Sequence, residues 1–125
     1  MADNELMRVV LVEPYSVPRV IEIENSLEAE QEVVKGLIEV SYLNGDDNVC
    51  IVSNEEAKLL GMEGNRRTDA GIIAGPFFVV GTTEDSFRGL TDEEVTKYMD
   101  KFAEPDDIKP EDVEAEMNAG FRIIF

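Results

Sequence analysis

Two β-branched runs near the start of this chain are joined by a connection of hairpin length, and this limits the fold more than any other feature. Residues 6–13, Leu-Met-Arg-Val-Val-Leu-Val-Glu, read as a central strand that Pro14 ends. Pro18 opens a second strand over residues 19–24, in which Arg19, Ile21 and Ile23 alternate with Val20, Glu22 and Glu24, so its solvent face is charged. About five residues separate the two, and they are expected to pair as a hairpin.

The rest of the chain continues in the same style. Asn25, with Glu28 three residues later, reads as the cap of a helix running to about Lys35, with Gly36 as its stop and Glu28, Glu30 and Glu32 facing outward. Residues 37–43 and 49–52 read as strands around an Asn44-Gly45 turn. Ser53-Asn-Glu-Glu56 has capping-box spacing and predicts a short helix ending at Gly61. Residues 62–71 are rich in Gly and polar groups and read as a loop. Residues 72–81 are apolar throughout, with a bulge or strand start at Gly75-Pro76 and a core strand over 77–80.

Thr91-Asp-Glu-Glu94 is a further capping box, followed by Val95, Tyr98, Met99 and Phe102 on one helical stripe. Pro105 stops that helix. Pro110 starts a last acidic helix with Val113 and Met117 inward, ended by Gly120, and residues 121–125 read as a closing strand. A chain of 125 residues fits one domain. The expected class is α+β: a largely antiparallel or mixed sheet with about three to four helices packed mainly on one face.

Charge bears on function more than on fold. The chain has 28 Asp and Glu against 11 Lys and Arg, a net −17. Residues 22–47 hold eight acids against Lys35 and net −7; residues 84–118 hold thirteen against four cations and net −9. Such a protein repels nucleic-acid backbones and anionic membranes and attracts basic surfaces. The 43% hydrophobic content supports a folded core, so the charge does not signal a disordered tail.

Several chemistries lack their residues. There is no His, which removes Ser-His and Cys-His nucleophiles, His-ligated metals and the commonest general base. No P-loop, dinucleotide fingerprint or Gly-x-Ser-x-Gly elbow is present. Asp46 and Asp47 lack the spacing and closing Glu of a calcium loop and read as turn residues. No carboxylate pair stands out as catalytic among so many acids. Cys50, in an apolar run, reads as a buried small hydrophobe. Residues 1–6 do not read as a signal peptide, and no stretch approaches the ~20 apolar residues of a membrane helix, so a cytoplasmic location is expected. No cofactor and no metal site are expected.

Two sets of residues remain as candidates. Asn65, Arg66 and Arg67 include the only adjacent basic pair, and two guanidinium groups in a Gly-containing loop can hold a phosphate or carboxylate by forked hydrogen bonds. The alternative is that they pair with the chain's own carboxylates. The second set is an acidic surface of Glu28, Glu30 and Glu32 with Asp92, Glu93, Asp100, Glu104, Asp106, Asp107, Glu111, Asp112 and Glu114. Carboxylates along helices can imitate the phosphates of a duplex, which carries one charge per ~1.7 Å of axis. The plainer reading of the same acids is a solvated, solubilising surface.

A set of short motifs carries a family resemblance. They are Val10-Leu-Val-Glu-Pro14; Ser26-Leu-Glu-Ala-Glu-Gln-Glu-Val33 leading to Gly36-x-Ile38-Glu39; Asn54-Glu-Glu56; Leu60-Gly-Met62; Asn65-Arg66; Ile73-Ala-Gly-x-Phe-Phe-Val-Val-Gly81; Phe87; and Leu90-Thr-Asp-Glu-Glu94 through Tyr98 and Phe102. In these the chain resembles family 3846, domains of unknown function from phages, plasmids and integrative elements of Gram-positive bacteria. The resemblance implies a mobile-element origin, a family-like core over 6–102 and an extension over 103–125. It implies no activity, and any shared site would lie at Asn65-Arg66 beside Asn54 and Glu55.

The expectation from these readings is a non-enzymatic protein of a bacterial host cytoplasm. It would present acidic surface to a basic partner, such as a nucleic-acid-targeting defence protein, without binding nucleic acid or membrane itself. Two alternatives stand beside it. One is a small-ligand or nucleotide-binding domain using Asn54, Glu55, Asn65, Arg66 and Arg67; the other is a structural phage protein that oligomerises.

Overall fold

The computed structural model describes residues 5–43, 45–69 and 71–122. Its elements in chain order are β1 (Leu6–Val12), β2 (Arg19–Glu24), α1 (Leu27–Val34), β3 (Ile38–Leu43), β4 (Asp46–Asn54), β5 (Gly64–Thr68), β6 (Gly71–Ala74), β7 (Phe77–Thr82), β8 (Phe87–Arg88), α2 (Asp92–Lys101) and α3 (Pro110–Arg122). The main sheet runs β2-β1-β7-β4-β3, with β8 also on β7, and every pairing in it is antiparallel. The fold is therefore α+β on an antiparallel sheet. β1 and β2 form the expected hairpin, in register from Leu6 opposite Glu24 to Leu11 opposite Arg19.

Strand alternation explains the core. Successive side chains point to opposite faces, and the central strands are apolar at both parities. Val10, Val12, Val49, Ile51, Phe77 and Val79 gather on one face with Tyr98 and Phe102 of α2. Met7, Val9, Cys50, Val52, Phe78 and Val80 gather on the other with Val34 of α1. The helices thus cover both faces, where packing mainly on one face was expected. The unbroken apolar run over 77–80 is the cause, because a strand with no polar face must be buried on both sides.

Local signals near α2 and α3 were sufficient. Thr91 accepts the Glu94 N–H while the Glu94 side chain accepts the Thr91 N–H, which closes the capping box. Pro110 is the first residue of α3, and Val113 and Met117 pack with Ile72 and Ile108. Gly75, with φ of +73°, makes the turn between β6 and β7 that the Gly-Pro pair announced.

Other expectations changed. Residues 62–71 do not form a plain loop: β5 pairs with β6 as a separate two-stranded sheet. Ser53 does not cap a helix, because β4 continues to Asn54 and a run of turns follows, started by the Asn54 side chain accepting the Glu56 N–H. α1 is capped by Ser26 rather than Asn25, and its left-handed end residue is Lys35 rather than Gly36. α3 passes through Gly120 to Arg122, so 121–122 are helical where a closing strand was expected; 123–125 lie outside the described residues.

Two polar junctions lock α2 onto the sheet. Arg88 makes a two-pronged ion pair with Glu94, at 2.8 and 3.0 Å, and also donates to the carbonyls of Thr82 and Asn48. Asp46, at the start of β4, accepts the Tyr98 hydroxyl at 2.6 Å and the Lys97 ammonium at 3.2 Å. The Arg88 hydrogen bonds lower the Glu94 pKa from its ordinary 4.5 against the opposing effect of burial. At Asp46 burial pushes upward, but Tyr98, the Asn48 N–H and Lys97 together bring the pKa below 3.8.

Both carboxylates are thus more acidic folded than unfolded. Their stabilisation is present above those ordinary values and is lost as pH falls through the lowered folded ones. Acid also relieves the self-repulsion of a −17 chain, so the comparison must be with a variant. Glu94→Gln is expected to melt below wild type at pH 7, with the gap narrowing as pH falls below the ordinary 4.5. A gap independent of pH in thermal unfolding would rule this linkage out.

Candidate functional site

Asn65 and Arg66 both lie in β5 and are fully buried, 0% and 1% exposed. The Asn65 amide donates to the carbonyls of Val12 and Gly75, at 2.9 and 2.8 Å. The Arg66 guanidinium donates to the Asn65 carbonyl and side-chain oxygen, to the Ser16 carbonyl at 2.6 Å and to the Phe102 carbonyl at 3.0 Å. Burial lowers the Arg66 pKa and nearby Asp106 opposes that. The cation donates to the carbonyl of Phe102, the C-cap of α2, where the helix dipole favours it. Arg67 is exposed; it pairs with Asp112 at 3.3 Å, and its N–H donates to Asp106.

Asn54 is buried as well and is committed elsewhere. Its amide donates to the carbonyls of Val34 and Lys35, closing the C-terminus of α1. Glu55 is exposed, and its N–H donates to the Leu37 carbonyl. Asn54, Asn65 and Arg66 therefore point at main-chain carbonyls of the chain itself, which is neither of the two roles weighed from sequence, whereas Arg67 pairs with the chain's own carboxylate, the alternative weighed there.

The acidic residues divide between two sides of the sheet. Asp92, Glu93 and Asp100 lie on α2 and Glu111, Asp112 and Glu114 on α3, with Glu104, Asp106 and Asp107 between the helices. Charge on this side is partly compensated: Asp92 pairs with Arg8 at 2.7 Å, Asp112 with Arg67, and Lys97, Lys101 and Lys109 are interspersed. Glu28, Glu30 and Glu32 lie on α1, on the opposite face.

On the α1 side Lys35 ends the helix and Arg19 lies on β2, but the grooves beside the helix are lined by acids. A groove of about 470 Å³ between α1 and β2 is lined by Glu28 and Glu32 of the helix and by Glu22 and Glu24 of the edge strand. A second groove, of about 530 Å³, lies between α1, β3 and the β7–β8 turn and is lined by Glu30, Glu84 and Asp85. No Lys or Arg lines either groove. Among the described residues none of these seven carboxylates forms an ion pair. Leu27 and Tyr42, more than half exposed, and Val40 also line the second groove.

Glu30 departs from the outward orientation expected of it: it is only 5% exposed, on the side of α1 that meets the core. Burial raises its pKa above the ordinary 4.5. Beneath it Cys50 is fully buried, and desolvation together with the Glu30 charge pushes the thiol up to about 12, so it stays protonated. Among the described residues no group of Cys, Asp and Glu is placed to hold a metal ion, and no helix is long and apolar enough to cross a membrane.

Sequence reasoning passed over Glu22, Glu24, Glu84, Asp85 and Tyr42. The alternation of Glu22 and Glu24 with Ile21 and Ile23 was a usable signal, because the isoleucines pack under α1 and the acids therefore point to the other face of the edge strand. Nothing local marks Glu84, Asp85 or Tyr42, which reach the groove only through the sheet order.

A family model described as "Domain of unknown function (DUF3846)" matches residues 7–103. No curated protein and no solved structure matches the chain.

Proposed function

Because the chain belongs to the DUF3846 family of domains of unknown function, we propose its role from its own surface: a non-enzymatic interaction protein that binds a basic protein through the α1 side. The observation that carries this is the pair of grooves flanking α1, lined by seven acidic residues and no cation, beside exposed Leu27, Val40 and Tyr42. A merely solubilising surface needs no clustered apolar groups, whereas interfaces pair aromatic anchors with a charged rim. A basic groove that holds nucleic acid is a fitting partner, and its occupation would inhibit that partner by competition. In the mobile-element setting implied by the family resemblance, the partner would be a host defence nuclease of the restriction or CRISPR kind, met in the bacterial cytoplasm.

Capture from host lysate tests this with two paired charge reversals. Glu28→Lys with Glu32→Lys alters the α1 side, and Glu111→Lys with Glu114→Lys alters α3. The wild-type chain and the α3 variant are expected to retain a nucleic-acid-binding protein at low salt and release it at high salt. The α1 variant is expected to lose it. Capture indifferent to salt, or equal for both variants, would overturn the proposal.

A further inference from the structure

We propose that the groove between α1 and β3 is a receptor for one arginine side chain of the basic partner, with the Glu30 carboxylate at its base as the counter-ion. This rests on the reading of the α1 side as the partner surface and adds the group it recognises. Glu30 is only 5% exposed and makes no hydrogen bond or ion pair among the described residues, while its carboxylate oxygens keep some contact with water. A carboxylate partly withdrawn from water without a partner is costly, and desolvation raises its pKa accordingly. A cation entering the groove would relieve it.

The other lining groups favour a guanidinium over a simple point charge. Glu84 and Asp85, both exposed, line the groove from the β7–β8 turn, together with the Ser86 hydroxyl. A planar guanidinium meets a carboxylate with two parallel hydrogen bonds, and its flat face stacks on an aromatic ring. Tyr42, 57% exposed on the edge strand β3, supplies such a ring. The carboxylates are not gathered into a metal-holding group, and at about 530 Å³ the groove has room for a long side chain.

The test is a titration of the full, 15N-labelled chain with the blocked peptide acetyl-Gly-Arg-Gly-amide and its lysine and citrulline counterparts. The arginine peptide is expected to shift the amides of Glu30, Tyr42 and Ser86, and the citrulline peptide, of like shape and no charge, to leave them in place. Glu30→Gln is expected to weaken binding at least about ten-fold, because the buried partner of the charge is gone. Glu32→Gln removes the same charge from an exposed site of the same helix and is expected to change binding less than about two-fold. Glu30→Gln also removes an uncompensated buried charge, so its melting temperature at neutral pH is expected to equal or exceed that of wild type, which separates lost binding from lost fold.

Equal weakening by the two variants, tighter binding of the lysine peptide, or shifts confined to other surfaces would overturn the proposal. If Glu30→Gln has no effect while reversal of Glu28 and Glu32 still releases the captured protein, the arginine receptor falls and the α1 surface stands. If the reversal has no effect while the arginine peptide still depends on Glu30, the outcome is the opposite.

Discussion

Replacing Arg66 with Ala should lower the unfolding free energy by about 3–5 kcal/mol, the loss expected when one partner of a buried charged network is removed. The guanidinium holds carbonyls from three places: Ser16 in the β1–β2 connection, Asn65 beside it, and Phe102 at the end of α2. Without it these acceptors stay buried and lose their donor. Arg66→Lys should recover little, because one ammonium cannot serve divergent carbonyls as a planar fork does. Urea denaturation of both variants measures this. Unchanged basal stability in Arg66→Ala would return this residue to the role of a ligand-binding group.

Phe77→Ala is the second large loss, again about 3–5 kcal/mol, as for other buried aromatic truncations. Its ring is fully buried and meets Phe102 edge-on, with centroids 5.3 Å apart and planes at 78°. Phe77→Leu should lose much less, under about 1.5 kcal/mol if the neighbours repack. The two sites share Phe102: Arg66 holds its carbonyl and Phe77 packs on its ring. The double variant should therefore depart from additivity in denaturation experiments, by roughly 0.5 kcal/mol or more. Strict additivity would show that the end of α2 does not transmit between them.

These two residues differ in how far the sequence exposes their roles. Phe77 sits in an apolar run with a turn signal before it, and core strand is the natural reading. Arg66 sits among Gly and polar residues, and there a surface loop is the natural reading. Its burial depends on carbonyls that come from positions up to 50 residues earlier and 36 later in the chain. No window of sequence contains that information. Asn65 is the same case, since Val12 and Gly75 must both arrive before its amide is satisfied. The β5–β6 hairpin escaped notice because β5 is short and polar, while the apolar β6 reads as the start of the run over 72–81.

Glu30 makes the point for the candidate site. On a helix with Glu28 and Glu32 it looks like one of three solvent-facing acids. The side that α1 turns inward is set by Val33 and Val34 against the sheet, and that rotation carries Glu30 in with them. The family resemblance suffered less from such effects: its motifs run from Val10 to Phe102, and the family match spans 7–103.

By itself the sequence determined the β1–β2 and β3–β4 hairpins, the capping box at Thr91, the start of α3 at Pro110, the core strand over 77–80 and the acidity of the chain. Each of these follows from interactions within a few residues or from composition. Only the tertiary structure decided that α1 and α2 cover opposite faces, which keeps the acids of the two helices from forming one surface. It also turned Asn65 and Arg66 inward and left Glu30 buried without a cation. The physical reason is common to all three. A polar or charged side chain takes its role from the partners that packing brings to it, and those partners come from distant parts of the chain.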